Sequence, residues 1–125
     1  MEDRVEYKYD QSTGIFYKYY YGKVTLQVLT SSWEHAIANN IIPEENLKGF
    51  IVDYKNATLK MDTNEASGIA DFYNKHLNIF RNMKIALIME KPDQVIFPIL
   101  VESKGVNYFP RPFYSHEAAL DWILG

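Results

Sequence analysis

The chain has 125 residues, 47% of them hydrophobic and 23% charged, which suits one folded domain with a buried core. Its formal net charge of -3 lacks the basic excess that phosphate-rich partners require, so neither nucleic acid nor an anionic membrane surface is an expected partner. It contains no cysteine, which excludes disulfides, thiolate metal sites and cysteine nucleophiles.

The N-terminal segment predicts a β-hairpin. Polar and apolar residues alternate over 4–10, which is the period of a half-buried strand. The sequence "QSTG" at 11–14 has turn chemistry, and "IFYKYYY" at 15–21 is rich in the aromatic and β-branched residues of a second strand. Gly22 is expected to end that strand.

After the hairpin, helices and strands alternate. We predict a helix over 26–39 capped by Thr25, a strand over 49–54, a helix over 62–77, a strand over 83–89, a helix from Pro92 to Gly105, a strand over 106–109 and a helix capped by Ser115. Pro98 predicts a kink or a shortened helix. The order β-β-α-β-α-β-α-β-α predicts a single α/β domain over 1–125, with an open, mixed, mostly parallel five-stranded sheet.

Neither end of the sequence nor its interior suggests membrane insertion. No apolar run approaches the roughly 20 residues of a membrane helix. The charged start "MEDRVEYKYD" has no apolar core and is not typical of a signal peptide. We therefore expect a cytoplasmic protein without a membrane span.

Motifs of catalysis and cofactor binding are scarce. The chain has no G-x-S-x-G elbow and no glycine-rich phosphate loop, and its three histidines have no zinc-ligand spacing. We interpret His35, His76 and His116 as surface residues on or near polar helix faces. The sequence therefore predicts neither an enzyme nor a cofactor or metal site.

Two carboxylates follow the apolar cores of predicted strands. Asp53 and Glu90 would share one rim of the sheet if their strands are neighbours, and a shared rim would suit metal binding or acid–base chemistry. The alternative is structural, because Asp53 could accept backbone N–H groups from the residues that follow it.

Tyrosines are concentrated in the hairpin. The chain has ten, and the predicted second strand places Tyr17 and Tyr19 on one face and Tyr20 on the other. A hairpin that is aromatic on both faces exceeds what one small core can bury, so we predict that these residues contribute to a protein contact surface. The alternative is one core face with scattered exposed aromatic residues.

Three segments, "GFIVDYKNATLKMD", "MKIALIME" and "YSHEAALDWIL", together resemble the SpoIIAA-like (STAS-like) domains of bacteria, in particular an uncharacterised STAS/SEC14-like branch. The resemblance implies a small α/β domain with a non-enzymatic role. In this family, anti-sigma-factor antagonists bind a kinase-like partner and are released by phosphorylation of one serine. That serine follows an aspartate at a helix N-terminus.

The positions that match this switch are Asp62 and Thr63. The family pattern Asp-Ser-Ser-Gly-Leu is not continued here, because Asn64, Glu65 and Ala66 follow. An alternative role is structural, with Asp62 or Thr63 capping the helix and Glu65 reaching back in a capping box.

These observations predict a non-catalytic regulatory domain that binds an unidentified protein partner. The alternative is a small apolar ligand or lipid, which would need a SEC14-like pocket lined by residues such as Phe72, Phe80 or Phe97. A homodimer is left open.

Overall fold

The computed structural model describes residues 3–104 and 107–125, and these form one five-stranded sheet with helices on both faces. The strands are β1 (Arg4–Asp10), β2 (Ile15–Val24), β3 (Gly49–Leu59), β4 (Lys84–Ile88) and β5 (Phe109–Phe113). The helices are α1 (Leu26–Ala38), α2 (Ala66–Lys75), α3 (Leu77–Phe80), α4 (Pro92–Lys104) and α5 (His116–Leu124), with a 3₁₀ turn at Thr63–Glu65. None of the helices in these ranges is long and apolar enough to cross a membrane.

The strands lie in chain order, β1-β2-β3-β4-β5. β1 pairs antiparallel with β2, and the remaining pairs are parallel. Each parallel pair requires a crossover, which the intervening helices provide. The predicted α/β class and the mixed, mostly parallel five-stranded sheet are therefore confirmed.

The two faces of the sheet are covered unequally. Alternate side chains of β2, β3 and β4 pack under α1, α2 and α4, forming the larger hydrophobic core around Phe16, Trp33, Phe50 and Phe80. We call this side the three-helix face. The intervening side chains form a smaller cluster against Ala119 and Ile123 of α5, which we call the α5 face. The α5 face therefore has a single helix as cover.

The prediction for the second strand was wrong at its end. β2 passes through Gly22, which adopts a φ of +86°, and continues to Val24. β3 likewise extends to Leu59, because it stays paired with β2 beyond the point where β4 ends. A register shift between Tyr19 and Tyr21 marks a bulge in this extended pair.

The prediction for the last strand was also wrong. β5 spans Phe109–Phe113, whereas the apolar run at 106–109 had suggested an earlier strand. β5 contains Pro110 and Pro112, which lack an N–H, and it tolerates them because it lies at the edge of the sheet. Gly105 and Val106 lie outside the described residues.

Two helix predictions differ in their bounds. α4 continues for six residues beyond Pro98, so it is not shortened there. The helix predicted over 62–77 starts as the 3₁₀ turn, and its α-helical part ends at Lys75 before the short α3.

Candidate functional site

The α5 face carries three of the residues that the sequence singled out, of which Tyr19 is partly exposed whereas Tyr17 and Asp53 are buried. Tyr17 and Tyr19 lie on alternate positions of β2, and Asp53 of β3 is the register partner of Tyr19. Register also aligns Asp53 with Ile88 at the end of β4, and Ile88 with Phe113 at the end of β5. The chain therefore enters α5 just beyond the level of Asp53.

His116, the first residue of α5, completes this group. Ser115 caps the helix, its hydroxyl accepting the N–H of Ala118 at 3.2 Å. The His116 imidazole then reaches the sheet, where Nε2 lies 2.7 Å from Oδ2 of Asp53. The other carboxylate oxygen accepts the N–H of Lys55 at 2.8 Å. Both oxygens of this buried carboxylate are thus engaged, which fixes the orientation of the imidazole.

The three rings form one stacked group. The His116 ring centroid lies 5.9 Å from that of Tyr17 and 6.1 Å from that of Tyr19, while the two tyrosine rings are 6.2 Å apart. The interplanar angles are between 7° and 17°, so the rings are nearly parallel. Burial raises the pKa of both tyrosine hydroxyls, and nearby Asp10 and Asp53 add to this for Tyr17 and Tyr19 respectively. Both tyrosines are therefore neutral at physiological pH.

Charged side chains of β1 border the stack. Lys8 Nζ lies 5.6 Å from the Tyr17 ring centroid, and the guanidinium of Arg4 lies 3.8 Å above the Tyr21 ring. Arg4 also contacts Glu6 at 3.1 Å. We define the tyrosine face as Tyr17, Tyr19, Tyr21 and His116. Its border contains both signs of charge, and cation–π contacts help to order it.

The arrangement offers a fixed aromatic surface with one acid–base group. Nε2 of His116 is engaged by Asp53, so Nδ1 is the ring nitrogen left for a hydrogen bond to a bound group. Among the described residues, no group of three potential ligands could hold a metal ion. The chemistry of this face is therefore suited to contact through aromatic rings and hydrogen bonds.

Comparisons with known proteins identify the fold. No protein-family model matches the chain, and no curated protein matches it. An uncharacterised DUF3478-family protein of Shewanella loihica PV-4 aligns over 98% of this chain and 96% of its own, with a TM-score of 0.64 and 16% identity. That protein is described as having a SpoIIAA-like fold. The present chain has a SpoIIAA-like fold. The anti-sigma factor antagonist SpoIIAA, in its unphosphorylated form, aligns over 98% of this chain and 99% of its own, with a TM-score of 0.51 and 12% identity.

In this SpoIIAA-like fold, Tyr20 lies on the opposite side of the sheet from the tyrosine face. It is buried on the three-helix face, where its hydroxyl pairs with Ser32 Oγ at 3.0 Å and its ring stacks on Tyr54 at 4.9 Å. Desolvation raises its hydroxyl pKa well above the usual value. The prediction that Tyr20 contributes to a contact surface was therefore wrong, because strand alternation directs it into the core.

Glu90 does not join Asp53. Within the described chain, the hydrogen-bond partners of the Asp53 carboxylate are Lys55 and His116, and Glu90 is exposed beyond the end of β4. The bond from Lys55 is the structural alternative that the sequence had left open. His116, interpreted as an ordinary surface residue, is instead the partner of this carboxylate.

The stretch matching the family switch forms the start of a helical segment. The Asp62 N–H donates to Glu65 Oε1 at 3.0 Å, as in a capping box, and Thr63 is exposed at the first position of the 3₁₀ turn. This segment leads into α2 on the three-helix face, so it is separate from the tyrosine face. The capping alternative for Asp62 and Glu65 agrees with this geometry.

The residues suggested for an apolar ligand pocket are packed into the core. Phe72, Phe80 and Phe97 are all buried, and the rings of Phe72 and Phe80 lie 6.5 Å apart. A cleft of about 470 Å³ lies elsewhere, between the end of α1, the 39–48 loop and α3, with Glu44 and several asparagines in its lining. The expected SEC14-like pocket is therefore occupied by side chains of the protein itself.

Proposed function

We propose that this domain is a non-catalytic regulatory module that binds a protein partner through the tyrosine face. The observation that carries the proposal is the stacked group of Tyr17, Tyr19 and His116, held by Asp53 on a sheet face that one helix covers incompletely. Rigid aromatic side chains lose little conformational entropy on binding, and tyrosine is enriched at protein interfaces for this reason.

The fold supports a regulatory role. SpoIIAA, which shares the fold over nearly the whole chain, is an anti-sigma factor antagonist. Regulation through binding requires a surface that a partner can recognise, and the tyrosine face combines aromatic rings with Arg4, Glu6 and Lys8 at its border. Mixed charges of this kind favour a protein partner with complementary charges over a polyanion.

The histidine–carboxylate pair fits binding better than catalysis. Asp53 orients His116 as it would a catalytic base, but the groups stacked on the imidazole are the aromatic rings of Tyr17 and Tyr19, whose hydroxyls are neutral. The orientation instead serves to hold a flat ring in register with two others.

Quantitative affinity capture with matched variants tests the proposal. The tagged domain is expressed at native level in its own organism, and Tyr19→Ala is compared with Ile99→Ala, an exposed apolar residue on α4. We expect a partner whose recovery falls at least about tenfold with Tyr19→Ala and is unchanged with Ile99→Ala, since central interface aromatics typically contribute 2 kcal/mol or more. Purified partner and domain then give the dissociation constants directly.

Two outcomes would contradict it. A partner retained equally by Tyr19→Ala and the wild-type domain would place the interface elsewhere. A partner insensitive to Tyr19→Ala but lost with Thr63→Glu would place it at the helix start that matches the family switch.

A further inference from the structure

The outer edge of β1 is a strand edge with unused pairing capacity. β1 is the first strand of the sheet and, among the described residues, pairs with β2 alone. It is seven residues long and regular over its whole length. A regular edge strand presents a row of main-chain N–H and C=O groups, to which another strand can add.

The hairpin turn shows which of these groups face outward. Gly14 donates its N–H to the carbonyl of Asp10 at 2.8 Å, so the Asp10 main chain is directed toward β2. In an antiparallel pair this direction alternates along the strand. The main-chain groups of Val5, Tyr7 and Tyr9 are therefore directed away from β2.

The side chains alternate with the same period and carry an ordered pattern of charge. On the α5 face of the sheet, which we call the outer face of β1, the charges of Arg4, Glu6, Lys8 and Asp10 are positive, negative, positive and negative in turn. Such a pattern is complementary to its own reverse. Two copies of the strand running antiparallel would therefore place opposite charges across from each other.

We propose that β1 pairs with β1 of a second copy of this chain, antiparallel and centred on Tyr7. In this register Arg4 lies opposite Asp10 of the second copy, and Glu6 lies opposite Lys8 of the second copy. The two-fold axis repeats both pairs, as in other symmetric dimers. The two five-stranded sheets then become one continuous sheet.

The charges select this register over its neighbours. A shift of two residues one way places Glu6 opposite Glu6, and a shift the other way places Lys8 opposite Lys8. Like charges directly across a strand pair are destabilising. A shift of one residue is disfavoured for another reason: it would place the charged face of one copy on the same side of the joint sheet as the apolar face of the other.

The main chain is compatible with this register and disfavours shifts by one residue. Tyr7 meets its symmetry mate with outward-facing N–H and C=O groups, so Val5, Tyr7 and Tyr9 fall in hydrogen-bonded pairs. Glu6 and Lys8 then fall in non-hydrogen-bonded pairs, where facing side chains are closest. The hydrogen-bonding phase thus disfavours shifts by one residue, and the charge pattern disfavours shifts by two.

The side chains of β1 on the three-helix face do not block its outer edge. Tyr7 donates its hydroxyl to the Ser32 carbonyl at 2.7 Å, and Tyr9 donates to the Asn46 carbonyl at 3.3 Å. Both rings are thereby held against their own subunit. β1 of the second copy therefore contacts the outward-facing main-chain groups and the charged side chains of the outer face.

Substitutions that reverse the charge of Glu6 or Lys8 test the proposal, with the particle mass measured by light scattering and sedimentation equilibrium. We expect wild-type particles of twice the 14.6 kDa chain mass. Glu6→Lys and Lys8→Glu should each weaken the dimer at least about tenfold, because each creates two like-charge pairs. Mixing these two variants, or combining them in one chain, should restore association. Glu117→Lys on α5 is the control with an equal charge change, and it should leave the dimer intact.

Amide hydrogen exchange locates the contact. The amides of Val5, Tyr7 and Tyr9 should gain protection as the protein concentration rises, and this gain should be lost in Glu6→Lys. A monomer at all concentrations up to about 1 mM would overturn the proposal. So would a dimer that Glu6→Lys does not weaken, or one in which mixing the variants restores nothing.

Discussion

Lys18 is a buried lysine that forms no ion pair with any of the residues that the structure describes. Its side chain is 0% exposed, with Nζ 2.7 Å from Ser32 Oγ and 3.8 Å from the Trp33 ring centroid. Burial lowers the pKa of its amine well below the usual value, which is about 10.4. The unfolded chain therefore binds a proton that the folded protein holds weakly, and this difference destabilises the fold at neutral pH.

We predict that Lys18→Met stabilises the protein at pH 7 by about 1–2 kcal/mol, because the unfolded chain then no longer gains free energy by binding a proton at this position. Ser32 and Tyr20 still bond each other at 3.0 Å, so no polar group loses its last partner. The unfolding free energy of the wild-type protein should rise as the pH increases toward about 10, because Lys18 of the unfolded chain loses its proton. The difference in unfolding free energy between Lys18→Met and the wild type should therefore shrink. Urea unfolding at pH 7 and pH 9.5 measures it. A difference independent of pH would mean that Lys18 stays charged when folded.

At the scale of elements, two helix caps were predicted from the sequence and are confirmed. Thr25 accepts the Val28 N–H at 3.1 Å, and Ser115 accepts the Ala118 N–H at 3.2 Å. Thr25→Ala and Ser115→Ala should each cost about 1 kcal/mol in urea unfolding.

The two cap variants should differ at the tyrosine face. Ser115 precedes His116, so loss of its cap should loosen the imidazole from Asp53, whereas Thr25→Ala serves as the matched control. The imidazole signals of His116 should shift in NMR spectra of Ser115→Ala alone. Equal shifts in both variants would show that the cap does not position His116.

The sequence predicted the elements better than it predicted the site. Strand alternation and strand ends, which can be located from residue types, singled out Asp53, Tyr17 and Tyr19, and the structure brings these three residues together. His116 was missed because it falls on a polar helix face, which is typical of a surface residue, and because the sequence does not show how close the start of α5 lies to Asp53. β5 itself begins three residues later than predicted, and its position and register at the sheet edge accommodate its two prolines. The carboxylate–imidazole contact, between residues 63 apart, depends on that register.

Gly49 marks a close approach between β3 and α5. A Cβ atom there would lie 2.8 Å from Ile123 Cγ2 and 3.0 Å from the Lys84 carbonyl. We predict that Gly49→Ala costs about 1–3 kcal/mol, since the backbone carbonyl cannot easily move away. At Gly68 the Cβ would meet the flexible end of Leu26 at 2.7 Å, so Gly68→Ala should cost less. Thermal unfolding of both variants compares them, and equal losses would contradict this explanation.

At the scale of the whole molecule, the two sides of the sheet differ in how many elements hold them together. The three-helix face joins three helices to the sheet through the larger core, whereas the smaller cluster depends on α5. α5 is also fastened by Lys84, whose ammonium group donates to the Trp122 carbonyl near the helix C-terminus at 2.8 Å. Detachment of α5, the helix that supplies His116, would therefore expose the smaller cluster and leave the larger core packed.

We predict that α5 opens locally, without global unfolding, and that this opening controls the tyrosine face. Leu29→Ala should lower the free energy of global unfolding by about 2–5 kcal/mol, because Leu29 is buried on the three-helix face. It should leave the opening free energy of α5 unchanged, since Leu29 stays packed when α5 detaches. Ile123→Ala should lower both quantities, because Ile123 is exposed in either open state.

Native-state amide exchange of the two variants separates these quantities, with α1 and β3 amides reporting global unfolding and α5 amides reporting detachment. If Leu29→Ala lowered the protection of α5 amides as much as that of β3 amides, the chain would open as one unit. Under local opening, a partner bound across Tyr19 and His116 would protect α5 amides above all others, because detachment breaks the stack that the partner contacts.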